Sequence, residues 1–213
     1  MNTCHIVAAG DMGGVKVEIK EGDFLIAADA GYGEVARQGL KADLVVGDFD
    51  SLGAEPQGEN IIKHPVMKDD TDTMLAVKLG FERGYTRFYM YGMLGGARLD
   101  HTIANIQTLA YIASQGGQGY IIGEKCCLTA LKDGEVRFTK EAQGIISVFC
   151  LGAPAKGVTL EGLLYPLNDY TLVPDMPLGV SNEFTGVPAR VRVQDGAIVA
   201  LFRDIGYLEV EEC

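Results

Sequence analysis

The spacing of apolar positions divides the chain into two parts with different periods. Up to about residue 122, short runs that are almost continuously apolar alternate with longer segments in which apolar residues recur every three or four positions. The short runs are typical of parallel strands covered on both faces, and the longer segments of amphipathic helices. The predicted strands are residues 5–9, 24–28, 43–46, 60–64, 87–91 and 119–122, and the predicted helices are residues 71–83 and 101–114.

Strands and helices that alternate in this way predict an open, mostly parallel α/β sheet. Each helix is expected to pack one apolar stripe against that sheet. The stripe of the first helix is Met74, Val77 and Phe81, flanked by Leu75 and Leu79, and that of the second is Ile103, Ile106, Ala110 and Ala113.

After Gly123 the apolar residues alternate over short runs that are separated by turns. Within residues 189–194, Val191 and Val193 alternate with arginines, and Asp195-Gly196 then leads into the run 197–203. This pattern predicts a β-hairpin. With the runs 135–140, 145–150, 158–164 and 170–173, it favours a small antiparallel sandwich or barrel. We therefore expect an N-terminal α/β domain over residues 1–123 and a C-terminal antiparallel β-sandwich domain over residues 124–213.

Composition and charge narrow the choice of partners. The 213 residues are 47% hydrophobic and carry a formal net charge of −11, so long-range attraction to nucleic acid or to an anionic membrane has the wrong sign. An anionic small ligand would need local positive charge or a bridging cation on the protein. Five cysteines without a C-x-x-C pair argue against a disulfide framework or structural zinc. With no apolar stretch of about eighteen residues, the sequence predicts a cytoplasmic protein without a membrane partner.

One predicted strand ends in glycine and two aspartates, in the order L-V-V-G-D-F-D-S over residues 44–51. Ligands of an open α/β sheet bind beyond the carboxyl ends of its strands, so Asp48 and Asp50 are candidates for such a site. Mg²⁺ takes oxygen ligands, usually one or two carboxylates together with substrate phosphates. An isolated D-x-D is also common in turns whose aspartates cap backbone amides, and for this motif alone both interpretations stay open.

Three further strand ends repeat the acidic pattern. Asp29 follows the run 24–28, the stretch from Lys68 to Asp72 opens the first helix, and a glycine-rich loop with Arg98 and Asp100 precedes the second. Each of these alone is consistent with capping or turn chemistry. Four acidic ends after four parallel strands predict together a site where magnesium and basic side chains bind the phosphates of a nucleotide.

Taken together, these segments resemble thiamine pyrophosphokinase, which transfers a pyrophosphoryl group from ATP to the hydroxyl of thiamine and releases AMP. The resemblance extends in order over nearly the whole chain, which makes it more specific than any single motif. The matching segments are 29–31 (DAG), 47–51 (GDFDS), 70–72 (DTD), 95–101 (GGARLDH), Asn105, 162–165 (GLLY) and 181–182 (SN).

The resemblance implies a role for each matching residue, and a homodimer whose active sites lie between subunits. At the position of Tyr165, animal and fungal relatives carry tryptophan, so an aromatic face is kept for the cationic substrate. The implied roles are magnesium binding by Asp48, Asp50 and Asp72; support by Asp29; phosphate or nucleotide binding by Lys68, Thr71, Arg98 and Asn105; contact with the thiamine hydroxyl by Asp100; and thiamine binding by Tyr165, Ser181 and Asn182.

Three alternatives remain from the residues alone. A pyrophosphokinase acting on another alcohol, such as a pterin, would use the same N-terminal half. An aspartyl phosphatase of haloacid dehalogenase type also has a strand followed by D-x-D, but normally on its first strand, whereas two predicted strands precede Asp48 here. The alternative without turnover is a nucleotide-sensing module that binds metal through the same aspartates.

Overall fold

A computed structural model of the chain describes residues 2–47, 61–63, 70–95 and 98–209. The chain forms two compact units. The first comprises Met1–Thr108 and Gly117–Glu124, and the second comprises Leu109–Gly116 and Lys125–Cys213.

The described residues of the first unit form six parallel strands, two α-helices and the first part of a third. The strands lie in the order β6-β5-β1-β2-β3-β4, and each neighbouring pair is parallel. All six strands predicted from the sequence are confirmed to within two residues at each end, and the α/β class is confirmed with them. The elements are β1 Cys4–Val7, β2 Phe24–Ala28, α1 Gly31–Arg37, β3 Leu44–Gly47, β4 Ile61–Lys63, α2 Asp72–Glu82, β5 Arg87–Tyr91, α3 Leu99–Ser114 and β6 Gln118–Ile122.

The buried faces of α2 and α3 differ from the predicted apolar stripes. In α2 the buried residues are Thr73, Ala76, Val77 and Gly80, so Val77 alone of the predicted stripe is buried. A Cβ added to Gly80 would lie 2.5 Å from Phe88 Cε1, which shows how closely this helix approaches β5.

The prediction for α3 was wrong in the same way. Its buried residues are Asn105, Thr108, Leu109 and Ile112, whereas Ile103 is 54% exposed. The buried faces of both helices therefore include small or polar side chains that a purely apolar stripe does not predict. The described helices include none long and apolar enough to cross a membrane.

The second unit contains two antiparallel arrangements of four strands, in the orders β12-β9-β14-β7 and β11-β10-β13-β8. The Phe138 ring of β8 lies 5.1 Å from the Phe202 ring of β14, so the two arrangements share an apolar interior, as in the predicted sandwich. The strands β7 and β12 were not predicted. The elements are β7 Cys127–Lys132, β8 Glu135–Phe138, β9 Ile145–Cys150, β10 Ala155–Glu161, β11 Leu167–Leu172, β12 Asn182–Glu183, β13 Ala189–Arg192 and β14 Ala197–Phe202.

The hairpin predicted between β13 and β14 was wrong, because the two strands pair in different sheets. β13 pairs with β10 and β8, whereas β14 pairs with β7 and β9. The Asp195-Gly196 turn is held by strand β10 and by the turn at Asp133: Lys156 N of β10 donates to Asp195 O at 2.7 Å, and Gly196 N donates to Asp133 Oδ1 at 2.8 Å. Asp195-Gly196 is thus a turn, but one that carries the chain from one sheet to the other.

Candidate active site

Asp29 lies at the carboxyl end of β2, against the end of β3. Its backbone N–H donates to Val46 O at 2.8 Å, and its side chain is half-buried. The helix that follows begins close to β1, because a Cβ added to Gly31 would lie 2.0 Å from Val7 O, a distance that requires glycine. The ends of β1, β2 and β3 therefore meet, and Asp29 stands beside the backbone that leads into Asp48.

The ends of β1 and β5 are joined in a similar way. Gly10 N donates to Gly92 O at 2.9 Å, and a Cβ added to Gly10 would lie 2.3 Å from that same oxygen. Sequence reasoning did not single out Gly10 or the adjacent Asp11, although an apolar run followed by glycine and aspartate is the pattern it used elsewhere. This pattern would have identified β1 as a further contributor to the same edge.

Met93, in the loop after β5, is held by both neighbouring helices. Asn105 Nδ2 of α3 donates to Met93 O at 2.8 Å, and Thr73 Oγ1 of α2 contacts Met93 Sδ at 3.8 Å. Met93 is 2% exposed and Asn105 is 7% exposed. Asn105, a predicted nucleotide-binding residue, is therefore placed as an anchor for the glycine-rich loop.

The start of α2 carries two predicted site residues. Thr71 is the N-cap of the helix, and its hydroxyl oxygen accepts a hydrogen bond from Met74 N at 3.2 Å. Asp72 follows in the first turn and is half-buried. The neighbouring Asp70 pairs with Lys78 at 2.6 Å. The capped first turn thus places Asp72 in the field of the helix N-terminus, which favours a negative charge.

Arg98 and Asp100 are paired with each other. Arg98 Nη2 donates to Asp100 Oδ2 at 2.5 Å and Arg98 Nε donates to Asp100 Oδ1 at 3.2 Å, with both side chains more than 60% exposed. The hydrogen bond from Arg98 lowers the pKa of the Asp100 carboxyl, and the same bond raises the pKa of the guanidinium. The sequence had predicted separate roles for these two residues, and the structure brings them together.

Three predicted site residues, Asp48, Asp50 and Lys68, lie outside the described residues. Within the described part of the chain, no group of three or more His, Cys, Asp or Glu side chains is close enough to hold a metal ion. Of the three predicted magnesium ligands, only Asp72 is in that part. Its carboxylate chemistry suits a hard cation such as Mg²⁺.

A buried polar cluster of His5, Asp23 and Tyr91 lies beside the end of β5. His5, 1% exposed, contacts Asp23 Oδ2 through Nε2 at 3.1 Å and the Tyr91 hydroxyl through Nδ1 at 3.3 Å. Burial is the largest influence on the His5 pKa and lowers it, although the hydrogen bond with Asp23 acts in the opposite direction. Burial would raise the pKa of Asp23, but hydrogen bonds from Thr3, Lys20 and His5 outweigh that effect and lower it.

In the second unit, the predicted residues Tyr165 and Asn182 are in direct contact. Tyr165 N donates to Asn182 Oδ1 at 2.9 Å, and Asn182 Nδ2 donates to Tyr165 O at 2.7 Å. Asn182 is 3% exposed, while Tyr165 is 64% exposed. Ser181 has a left-handed backbone with φ of 57°, is exposed, and donates through its backbone N–H to Ser147 Oγ at 3.0 Å.

Comparison with protein families finds two matches in chain order. The model described as "Thiamin pyrophosphokinase, catalytic domain" matches residues 15–121, which is half of the chain. The model described as "Thiamin pyrophosphokinase, vitamin B1 binding domain" matches residues 135–198. Comparison with curated proteins finds no match.

Solved structures with the same fold include bacterial and fungal enzymes. A thiamin pyrophosphokinase family protein from Enterococcus faecalis is 27% identical with a TM-score of 0.81, covering 96% of this chain and 99% of that chain. The thiamine pyrophosphokinase of Bacillus subtilis is 23% identical with a TM-score of 0.81, covering 95% and 99%. That of Candida albicans is 17% identical with a TM-score of 0.70, covering 95% and 89%. The latter two likenesses concern the fold alone.

Proposed function

The chain belongs to the thiamin pyrophosphokinase family, and we propose that it transfers the pyrophosphoryl group of ATP to the hydroxyl of thiamine and releases AMP. The observation that carries the proposal is the pair of family matches, a catalytic domain followed by a vitamin B1 binding domain. The polar and acidic strand ends of the first unit support it.

We propose that Mg²⁺ is required and is held by Asp48, Asp50 and Asp72, with Asp29 in support. The cation supplies positive charge that neutralises the phosphates and stabilises the charge that develops during transfer. Two observations support this donor set. Asp29 is half-buried beside the end of β3, where Gly47 directly precedes Asp48, and Asp72 is half-buried in the first turn of α2.

Arg98 and Asp100 have complementary roles in this proposal. A guanidinium binds phosphate oxygens with the same two-pronged geometry that it uses with a carboxylate, so the phosphates of ATP replace Asp100 as the partner of Arg98. Lys68 adds a second positive charge. Asp100, released from Arg98, then accepts a hydrogen bond from the thiamine hydroxyl through its carboxylate.

The hydroxyl oxygen attacks the β-phosphorus in line, the bond from that phosphorus to the α-phosphate oxygen breaks, and AMP leaves. The hydroxyl proton passes to Asp100 or Asp72. Because the transition state spreads charge over the phosphoryl oxygens, most of the rate enhancement comes from positioning and charge neutralisation. Thr71 caps the helix that carries Asp72, and Asn105 anchors the loop that leads to Arg98. Both therefore support nucleotide binding by holding the groups that face the phosphates.

Thiamine is proposed to bind in the second unit, at the segments around Tyr165, Ser181 and Asn182. Thiamine carries a permanent cationic ring, and an exposed aromatic face attracts a cation. Tyr165 offers such a face, with 64% of the residue exposed.

We further propose a cytoplasmic homodimer with each active site shared between subunits. Among the described cysteines, Cys4, Cys126, Cys127 and Cys150 are not joined in disulfides, which suits a reducing compartment. The second unit also exposes many large apolar side chains, which favours burial against another protein surface. They are Ile145, Leu164, Tyr165, Tyr170, Met176, Leu178, Val180 and Val187.

Dilution and subunit mixing test the shared site. Activity per chain should fall when the enzyme is diluted below its dimer dissociation constant. Mixing Tyr165→Ala with Asp48→Asn should restore part of the activity, because some mixed dimers carry one intact site. A monomer in light scattering, or mixed chains without regained activity, would place each site within one chain.

The reaction itself is tested with purified protein, ATP, Mg²⁺ and each acceptor in turn. Thiamine should yield AMP and thiamine diphosphate in equal amounts. ADP with thiamine monophosphate would refute attack at the β-phosphorus, and phosphate release to water alone would identify a phosphatase. Turnover with a pterin alcohol but not with thiamine would identify the pterin alcohol as the acceptor. Nucleotide binding without turnover would identify a sensor.

A further inference from the structure

We infer that Asn182 acts on thiamine binding through Tyr165, as a positioning residue whose buried amide holds the backbone of Tyr165 while the ring stays exposed. This inference rests on the proposed thiamine site and assigns Asn182 a role there other than direct contact with substrate.

The hydrogen bonds of Asn182 are directed at the backbone. Its Oδ1 accepts from Tyr165 N at 2.9 Å and from Glu183 N at 2.9 Å, and its Nδ2 donates to Tyr165 O at 2.7 Å. An amide oxygen has two acceptor sites, and both are used. Since Asn182 is 3% exposed, a substrate cannot reach this side chain without displacing the segment that covers it.

The segment that ends in Tyr165 is fastened at further points. Leu164 N donates to Glu183 O at 2.9 Å, and Thr185 Oγ1 donates to Gly162 O at 2.9 Å. Gly162 has φ of 70°, and a Cβ added there would lie 2.3 Å from Pro188 O, so the segment runs directly against the neighbouring chain segment. Asn182 extends this attachment to Tyr165, because its side-chain amide bonds both the backbone N–H and the backbone carbonyl of Tyr165.

A fixed backbone matters because the Tyr165 ring itself has little cover. A flat cation gains from an aromatic face only when the ring is held in place, and ordering a loose side chain on binding costs affinity. Holding both polar backbone groups of Tyr165 restricts the ring before the substrate arrives. Asn182 therefore raises affinity for the cationic ring of thiamine without touching it.

A single-tryptophan reporter measures this directly, since the chain contains no Trp. In a Tyr165→Trp protein, Asn182→Ala should lower the steady-state anisotropy of the introduced indole and weaken thiamine binding, followed by fluorescence quenching, about two- to tenfold. Glu183→Gln, at the exposed neighbouring position, is the matched control and should change neither quantity. Asn182→Ser keeps a small polar group but is too short to hold both backbone groups of Tyr165, and serves as the second variant if Asn182→Ala does not fold.

A double-mutant cycle separates positioning from contact. In the natural background, Asn182→Ala should raise the KM for thiamine about two- to tenfold and leave kcat and the KM for ATP unchanged. In a Tyr165→Ala background the same change should add almost nothing, because the ring that Asn182 positions is gone. Full additivity of the two changes, or unchanged anisotropy in Asn182→Ala and Asn182→Ser, would overturn the inference.

Failure of the proposed thiamine site has a different signature. If Tyr165→Ala leaves the thiamine KM unchanged, Tyr165 is not part of the substrate site. Asn182 then has no effect on thiamine binding through Tyr165. The anisotropy of the indole in the Tyr165→Trp protein would still report whether Asn182 holds the segment. The two results therefore identify which of the two statements is wrong.

Discussion

Replacement of Asn105 by alanine tests whether this residue anchors the glycine-rich loop or binds the nucleotide. Asn105 is 7% exposed, and its Nδ2 donates to Met93 O at 2.8 Å. Without the side chain, the carbonyl of the almost fully buried Met93 loses this partner. An unsatisfied buried polar group costs about 1 to 3 kcal/mol. For a chain of this size, each kcal/mol lowers Tm by about 2 to 4 °C, so we expect a loss of about 2 to 12 °C.

Thermal unfolding followed by circular dichroism measures the loss, and initial rates at varied ATP measure the catalytic effect. Asn105→Asp should be less stable than Asn105→Ala, because it places an acceptor with a negative charge against the Met93 carbonyl. Gln107→Ala, on the exposed side of the same helix, is the matched control and should stay within about 0.5 kcal/mol of the natural protein. An Asn105→Ala protein with unchanged Tm and a raised KM for ATP would refute the anchoring role and return Asn105 to direct nucleotide contact.

Three further predictions concern metal, phosphate and pH. Asp48→Asn and Asp50→Asn should each lower kcat on the order of a hundredfold at saturating Mg²⁺ with unchanged Tm; near-normal turnover would make that aspartate a turn residue. Arg98→Ala should raise the KM for ATP and leave Tm unchanged, because the pair of Arg98 and Asp100 is exposed. Arg98→Lys should raise the KM for ATP less than Arg98→Ala does. Equal ATP kinetics in the natural protein and both variants would exclude contact between Arg98 and phosphate. Burial lowers the pKa of His5, so below about pH 6.5 the unfolded chain binds more protons than the folded one. Urea unfolding should therefore show stability falling from pH 7 toward pH 5, with a flatter profile in His5→Gln; equal slopes would show that His5 does not contribute.

The turns of the second unit show what the local sequence pattern does not predict. Asp133-Gly134 and Asp195-Gly196 both have the composition of tight turns, and Asp133 does adopt a left-handed φ of 49°. The residue composition of a turn nevertheless does not predict whether the strand after the turn pairs with the strand before it. Here both turns move the chain between sheets, β7 to β8 and β13 to β14, and they contact each other through Gly196 N and Asp133 Oδ1.

The helices show a related limit. Periodicity located α2 and α3 but favoured the largest apolar residues for the buried face. In α2 the buried face is instead the one on which Gly80 and Ala76 allow close approach. The seven-residue helix α1 was missed because it starts with Gly-Tyr-Gly and is too short for a periodic signal.

The six parallel strands and the change of period after residue 123 could be predicted from the sequence, because buried strands need continuous apolar runs. The acidic strand ends and the family could be predicted as well, because the functional groups of the family recur in a fixed order along the chain. Which side chains contact each other is visible only in the folded protein. Arg98 faces Asp100, Asn105 holds Met93, and Asn182 holds Tyr165. Such contacts depend on hydrogen bonds and close packing between segments far apart in the chain, or on rotamers within one loop, and neither leaves a periodic trace in the sequence.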